Sequence, residues 1–320
     1  MPLGVRASRG PARVVALAGA LLSGLALVSA CQSSFPGLTL RIATGSSDGV
    51  YYEIGTELAS SWAGALDIAR PTVLETAGSP ANIALLRSGA ADIAFSSADA
   101  VADPDKGPRQ LRALARIYDD YIQVVVRADL PIHKLADLSG RRVSVGPPTS
   151  QVHLVADRIL AAGDVHDMAS AELNLNDSIS ALKTGKIDAF FWSGGLPTPS
   201  IATLAQSVGI RLLDLGSDPS GVLPTMQKLH SVYSTAVVPA GTYEPGSPSV
   251  TTLVVPNFLL VTDRMSNDVA EALVRGLFNA TGQLSGLNAA ALAIDVHTAI
   301  YTEPVRLHPG AENYYRSSKI

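Results

Sequence analysis

Ile54, Leu58, Trp62 and Leu66 recur every fourth residue and form one apolar stripe, which predicts a helix. The segment at 39–43 ahead of it reads as a strand, and the two are joined by the polar loop Thr44-Gly45-Ser46-Ser47-Asp48-Gly49. Residues 72–76 predict a second short strand. Ser79-Pro80 then supplies an N-cap and a proline at the first helical position, and Gly89 supplies a C-terminal stop. A third strand at 92–95 ends at Ser96-Ser97.

The same order returns after Leu138-Ser139-Gly140. Residues 143–145 predict a strand, Gly146-Pro147-Pro148-Thr149-Ser150 a loop, and 152–160 a helix with Val152, Val155, Ile159 and Leu160 on one side. Residues 173–175 read as the next strand, Asp177 or Ser178 as the cap of a helix through Leu182, and Gly185 as its end. The segment 187–191 then runs into Trp192-Ser193-Gly194-Gly195. The two units share letters: Leu86-Arg87-Ser88-Gly89 precedes Asp92 as Leu182-Lys183-Thr184-Gly185 precedes Asp188.

Strands alternating with helices at short spacing build parallel sheets covered by helices, because a crossover helix is what joins parallel neighbours. Two such units predict an α/β fold of two lobes, each a mostly parallel sheet flanked by helices. The apolar, β-branched runs at 121–127 and 251–261 flank the second unit and predict two strands that cross between lobes as a hinge. Lobe I is then 39–126 plus 256–320 and lobe II is 127–255. Val269, Leu273 and Leu277 give the returning segment a helical stripe.

Ligands of open α/β sheets lie outside the carboxyl ends of the strands, where helix N-termini aim free amides. Four loops rich in Gly, Ser and Thr meet that description, at 45–49, 96–97, 146–150 and 192–195, and they line one cleft if the lobes face each other. Gly45, Ser46 and Ser47 suit anion capture, and the same residues serve ordinary helix capping. Tyr51 and Trp192 either pack on a ligand or belong to the core. Ser97, Thr149, Ser150, Ser193 and Gly194 stand where strands stop and helices begin, which turn chemistry alone also explains. Asn257, next to Pro256 on the returning strand, either reaches the cleft or bonds turn backbone.

Composition narrows the function. The chain has 320 residues, 47% hydrophobic and 16% charged, with one cysteine, which excludes a disordered chain and a disulfide scaffold. Its length fits about two domains. A formal charge of −4 leaves no basic field for a nucleic acid.

Residues 1–30 contain three arginines, no acid, and an apolar run from Val14 to Ala30, which reads as an export signal. Val28-Ser29-Ala30-Cys31 is similar to the lipobox of bacterial lipoproteins, and that resemblance implies a lipidated Cys31 followed by a tether at 31–38. An uncleaved membrane anchor and a buried thiol are the alternatives. Removing the signal takes three of the 24 basic residues and none of the 28 acids, leaving 21 against 28, net −7.

The six histidines show no pairing at metal spacing and no second cysteine exists, so neither a metal nor a cofactor is expected. Phe191 stands where a nucleophile elbow around Ser193 requires glycine, and no phosphate loop of the G-x-x-x-x-G-K type occurs. Asn279-Ala280-Thr281 matches a glycosylation acceptor without further support.

The chain from Ile42 onward resembles the TAXI family of TRAP transporter solute receptors. The resemblance rests on Ile42-Ala43-Thr44-Gly45 with Tyr51-Tyr52, Gly78-Ser79-Pro80-Ala81-Asn82, and 135–143 (LADLSGRRV). It continues through 189–198 (AFFWSGGLPT), Val255-Pro256-Asn257 and 307–312 (LHPGAE). It implies a periplasmic, lipid-anchored, non-enzymatic receptor with the two-lobed type II periplasmic binding protein fold. Such a receptor acts as a monomer and hands a small organic anion or amino acid, of the glutamate, glutamine or 2-oxoglutarate kind, to a membrane permease. Two departures stand out: Asp48 in a first loop poorer in glycine than the family's, and Glu53 where proline is common. An acid beside the cleft repels a dicarboxylate and attracts an ammonium, which tilts the expectation toward an amino acid. A sensory receptor and an enzyme on the same architecture are the alternatives.

Overall fold

The two strand–helix units form two parallel three-stranded groups at opposite ends of one sheet. The computed structural model describes residues 34–47, 49–101 and 103–319, with Met1 and Gly4. The export signal, Cys31 and Asp48 lie outside the described residues. In the first group β1 (Arg41–Ala43) lies between β2 (Thr72–Leu74) and β3 (Ile93–Ser97), and the crossovers are α1 (Val50–Leu66) and α2 (Ser79–Ser88). A long strand, β4 (Leu111–Arg127), leads to the second group. There β5 (Arg142–Ser144) lies between β6 (Ala169–Ala171) and β7 (Ala189–Gly194), with crossovers α3 (Gln151–Ala162) and α4 (Leu175–Lys183).

The shared letters mark shared bonds. Asp92 Oδ2 accepts from the Arg41 backbone N–H at 2.9 Å and from its Nε at 3.0 Å; Asp188 Oδ2 accepts from Arg142 N–H at 2.9 Å and from its Nε at 3.1 Å. Each pair ties the edge of the middle strand to the loop entering the third. Leu86 and Leu182, the leucines of the repeated tetrapeptide, are fully buried.

Past β7 come α5 (Pro199–Ala205), β8 (Ile210–Leu212), α6 (Val222–Leu229), β9 (Ser234–Val238) and the second long strand, β10 (Val250–Thr262). The sheet order is β2-β1-β3-β10-β4-β7-β5-β6, with β8 on β4 and β9 on β10. Residues 111–121 of β4 pair antiparallel with β10, and from Tyr121 to Val126 β4 pairs with β7 instead. β10 pairs with β9 over 250–254 and with β3 over 257–260. Both long strands therefore belong to both ends of the sheet. The register of their mutual pairing shifts between Asn257 and Phe258 and again between Leu259 and Leu260.

The apolar stripe of α1 is buried as predicted, with Ile54, Leu58 and Trp62 at zero exposure, against α7 (Asn267–Asn279), whose Val269, Leu273 and Leu277 face it. The Trp62 indole donates to the Leu273 carbonyl at 3.0 Å. α8 (Thr281–Leu287) and α9 (Pro309–Ser317) complete this layer. Phe35 and Leu38 pack against the same core. No helix of the described residues is long and apolar enough to cross a membrane.

Four local expectations are corrected. β6 lies at 169–171 rather than 173–175, because Asn174 caps α4 by accepting from Asp177 N–H at 2.9 Å, displacing Asp177 and Ser178 from that role. Gly78, at φ 109°, is the N-cap of α2, which puts Ser79 inside the helix. Trp192, Ser193 and Gly194 are the last residues of β7 rather than a loop. β4 begins ten residues early, at Leu111, because the charges that interrupt its apolar pattern are paired at its edges, Arg116 with Asp119 and Arg112 with Asp105.

Candidate functional site

Four helices begin at one cleft of about 370 Å³, two from each end of the sheet. Their N-caps Gly49, Gly78, Ser150 and Asn174 all line it. Parallel strands joined by crossover helices place every helix N-terminus on the same edge, so the amide donors and the positive ends of four dipoles converge there. Ser150 Oγ and Asn174 Oδ1 cap their own helices; Gly49 and Gly78 bring no capping side chain, so among the described residues no N-cap side chain covers the first-turn amides of α1 and α2.

The floor is built from Tyr118 and Asp120 of β4, Trp192 to Gly194 of β7 and Tyr51 of α1. Asp120 is 4% exposed; the Ser193 hydroxyl donates to its Oδ2 at 3.3 Å, and its Oδ1 has no hydrogen-bond partner. Burial pushes the carboxyl up to about 7, the charge of Asp99 adds to this, and the neighbouring Asn257 and Ser193 pull it back. The Tyr51 hydroxyl donates to Asn257 Oδ1, and burial raises both the Tyr51 and Tyr118 phenols. The Tyr51 ring lies 5.1 Å from that of Phe95 and 6.2 Å from that of Tyr118, centroid to centroid.

Trp192 is held by its indole N–H, which donates to Thr198 Oγ1 at 3.0 Å. Thr198 N–H in turn donates to the Tyr243 hydroxyl at 3.1 Å, and that hydroxyl donates to Gln123 Oε1 at 2.7 Å. Gly194 is required beside the indole, because a Cβ there would stand 2.7 Å from Trp192 Nε1.

Of the residues proposed from sequence, Gly45, Ser46, Tyr51, Ser150, Trp192, Ser193 and Gly194 come together in the lining. Four do not reach it. Ser47 turns to Glu75, whose Oε1 accepts from its N–H at 3.0 Å and its hydroxyl at 3.1 Å. Ser97 is buried behind Ser79, donating to Ser79 Oγ from its N–H and its hydroxyl. Thr149 is an exposed turn residue at φ 62°, and Asn257 lies fully buried beneath Tyr51. Glu53 accepts from Asn288 at 2.6 Å, away from the lining. Reading by loops missed Glu75, Ser79, Tyr118, Asp120, Gln151 and Asn174, all of which line the cleft. For Asp120 a signal existed: an acid inside an apolar strand.

Glu75 and Asp120 are acids, and the described lining contains no lysine, arginine, histidine or cysteine. Among the described residues no three acids, histidines or cysteines converge on a metal-sized site. Beside the cleft the two ends of the sheet touch directly, where Asp99, in the turn after β3, meets Arg158 of α3 and Tyr233.

The model of the NMT1-like family matches residues 42–318. Among solved structures, XAC2383 from Xanthomonas citri bound to ATP superposes with a TM-score of 0.50 at 14% identity, over 87% of this chain and 94% of that one. The periplasmic aliphatic sulphonate binding protein SsuA from Escherichia coli gives 0.46 at 16% identity, over 87% and 82%. The GluR0 ligand-binding core from Nostoc punctiforme in complex with L-glutamate gives 0.49 at 15%, over 78% and 96%. The two-lobed α/β architecture is the fold this chain shares with XAC2383.

Proposed function

The chain belongs to the NMT1-like family, and on that premise we propose that it is a solute receptor of the TAXI type, serving a TRAP transporter. It captures a small carboxylate or acidic amino acid between lobe I (39–126 plus 256–320) and lobe II (127–255) and delivers it to a membrane permease. Lipid on Cys31 holds it at the membrane on the periplasmic side, where it works as a monomer.

The observation that carries this reading is the convergence of four helix N-termini, two from each end of the sheet, on a single cleft. A solute that satisfies donors from both sides makes its full set of contacts only when the lobes are closed, so binding shifts the population toward closure. Closure also removes water and strengthens each dipole's hold on the solute's charge. On this reading the protein binds its solute and passes it on without transforming it.

The test is a thermal-shift screen of purified protein with C3 to C6 carboxylates and amino acids, with small-angle scattering on each hit. A binder raises Tm in proportion to its occupancy of the folded state and reduces the radius of gyration. A shift produced only by an uncharged sugar or a metal ion, or a solute recovered chemically altered by mass spectrometry, overturns the reading.

A further inference from the structure

Resting on the receptor reading, we propose that the cleft selects solutes bearing a protonated amine, with Asp120 accepting the ammonium on the floor while the helix N-termini take the carboxylate. Three observations meet in this assignment.

The cleft is electrically two-sided. Its walls are helix N-termini, which attract negative charge, and its floor holds a carboxyl group with no basic side chain among the described lining residues to offset it. A dicarboxylate reaching from wall to floor would set its second carboxylate against Asp120 and could stay there only while Asp120 kept its proton, since no basic side chain of the described lining offsets the pair. A zwitterion of the same length puts opposite charges at both ends.

Asp120 also has unused bonding capacity. One oxygen takes the Ser193 hydroxyl; Oδ1 ends on no hydrogen bond in a residue only 4% exposed, and the other internal donor beside the carboxyl, the Asn257 amide Nδ2, is likewise without a partner. A buried acceptor left empty is destabilising, and an ammonium's three donors supply what it lacks. Glu75, the other lining acid, is occupied by Ser47.

The third observation is the aromatic surround. Tyr51, Tyr118 and Trp192 line the same floor, and aromatic faces favour a cation over an anion. The raised proton affinity that burial gives Asp120 fits an acid that is recharged by its ligand: the arriving ammonium stabilises the carboxylate, and the displaced proton leaves to solvent.

Matched pairs titrated calorimetrically into the purified protein test the proposal: L-glutamate against glutarate and 2-oxoglutarate, and 4-aminobutyrate against butyrate. The aminated member is expected to bind at least about tenfold tighter, and at pH 7 two buffers of different ionisation enthalpy are expected to reveal proton release. In Asp120→Asn both the preference and the proton release should vanish; the wild-type pairs decide the matter even if that variant does not fold. Equal or tighter binding of the deaminated members, or a preference that survives in Asp120→Asn, overturns the proposal and leaves the receptor reading standing. If no member of either set binds, the receptor reading fails and the proposal with it.

Discussion

The Tyr233 hydroxyl donates to Asp99 Oδ2 at 2.6 Å, joining two residues 134 positions apart and the two ends of the sheet. Arg158 Nη1 donates to the same hydroxyl at 2.9 Å and stands 3.6 Å from the Asp99 carboxylate. Burial and the charge of Asp99 raise the Tyr233 phenol, so it remains a donor throughout the ordinary pH range. Tyr233→Phe leaves a buried carboxylate short of a partner, a loss of about 1–3 kcal/mol that falls on the contact between the two ends of the sheet. The expected result is solute affinity reduced roughly tenfold and a larger radius of gyration in the unliganded protein. Unchanged scattering and affinity would show that the bond does not hold the lobes.

Gly194→Ala forces a methyl group to within 2.7 Å of the Trp192 indole nitrogen, so the ring must leave Thr198. Gly194 ends its strand and has an ordinary backbone conformation, so the fold should persist. Solute binding should fall at least about tenfold while the circular dichroism spectrum is retained, and tryptophan emission should shift to the red. Retained affinity would remove Trp192 from the site.

Asp120 gives the protein a pH signature whose sign is fixed. Its carboxyl titrates near 7 when folded, against 3.8 ordinarily, so between those values the folded state holds the extra proton. Stability from this group is therefore highest at low pH and declines as pH rises toward 7. The groups facing it are Asp99, Asp119, Tyr51 and Tyr118; Asp119 is itself bound to Arg116 at 2.7 Å. Urea midpoints compared between pH 5 and pH 8 should show a decline that Asp120→Asn flattens. Affinity for an aminated solute should run the other way, rising by at most about tenfold per pH unit and levelling above about 7.

Trp62→Ala empties a fully buried site and strips the Leu273 carbonyl of its indole donor. A destabilisation of about 3–5 kcal/mol is expected in urea unfolding monitored by circular dichroism. A loss below 1 kcal/mol would mean that α1 and α7 repack freely.

Periodicity revealed the two repeated units because each helix buries a single stripe, as Ile54, Leu58 and Trp62 do, and because turn residues such as Gly89 have one local role. Position along the chain also brought a third of the cleft into view: residues that end strands or begin helices, such as Ser46, Ser150 and Trp192, converge through topology alone. Asp120 escaped because its role depends on pairing. An acid inside an apolar strand is a signal, but it does not by itself choose between Asp120 and Asp119, one position earlier, which turns outward to Arg116. Ser97 and Asn257 stand at equally plausible boundaries, and what sets them beneath the lining is the non-local packing of Ser79 and Tyr51 over them.

Asp120 stands where β4 exchanges β10 for β7, the point about which the halves would rotate. Points on a pivot barely travel. On the receptor reading, an anchor placed there would keep its geometry whether the jaws are apart or together, whereas the helix N-termini at the rim would sweep the full arc. Arrival and commitment can thus be separate events, with the amine seated first and the remainder of the solute deciding whether the jaws shut.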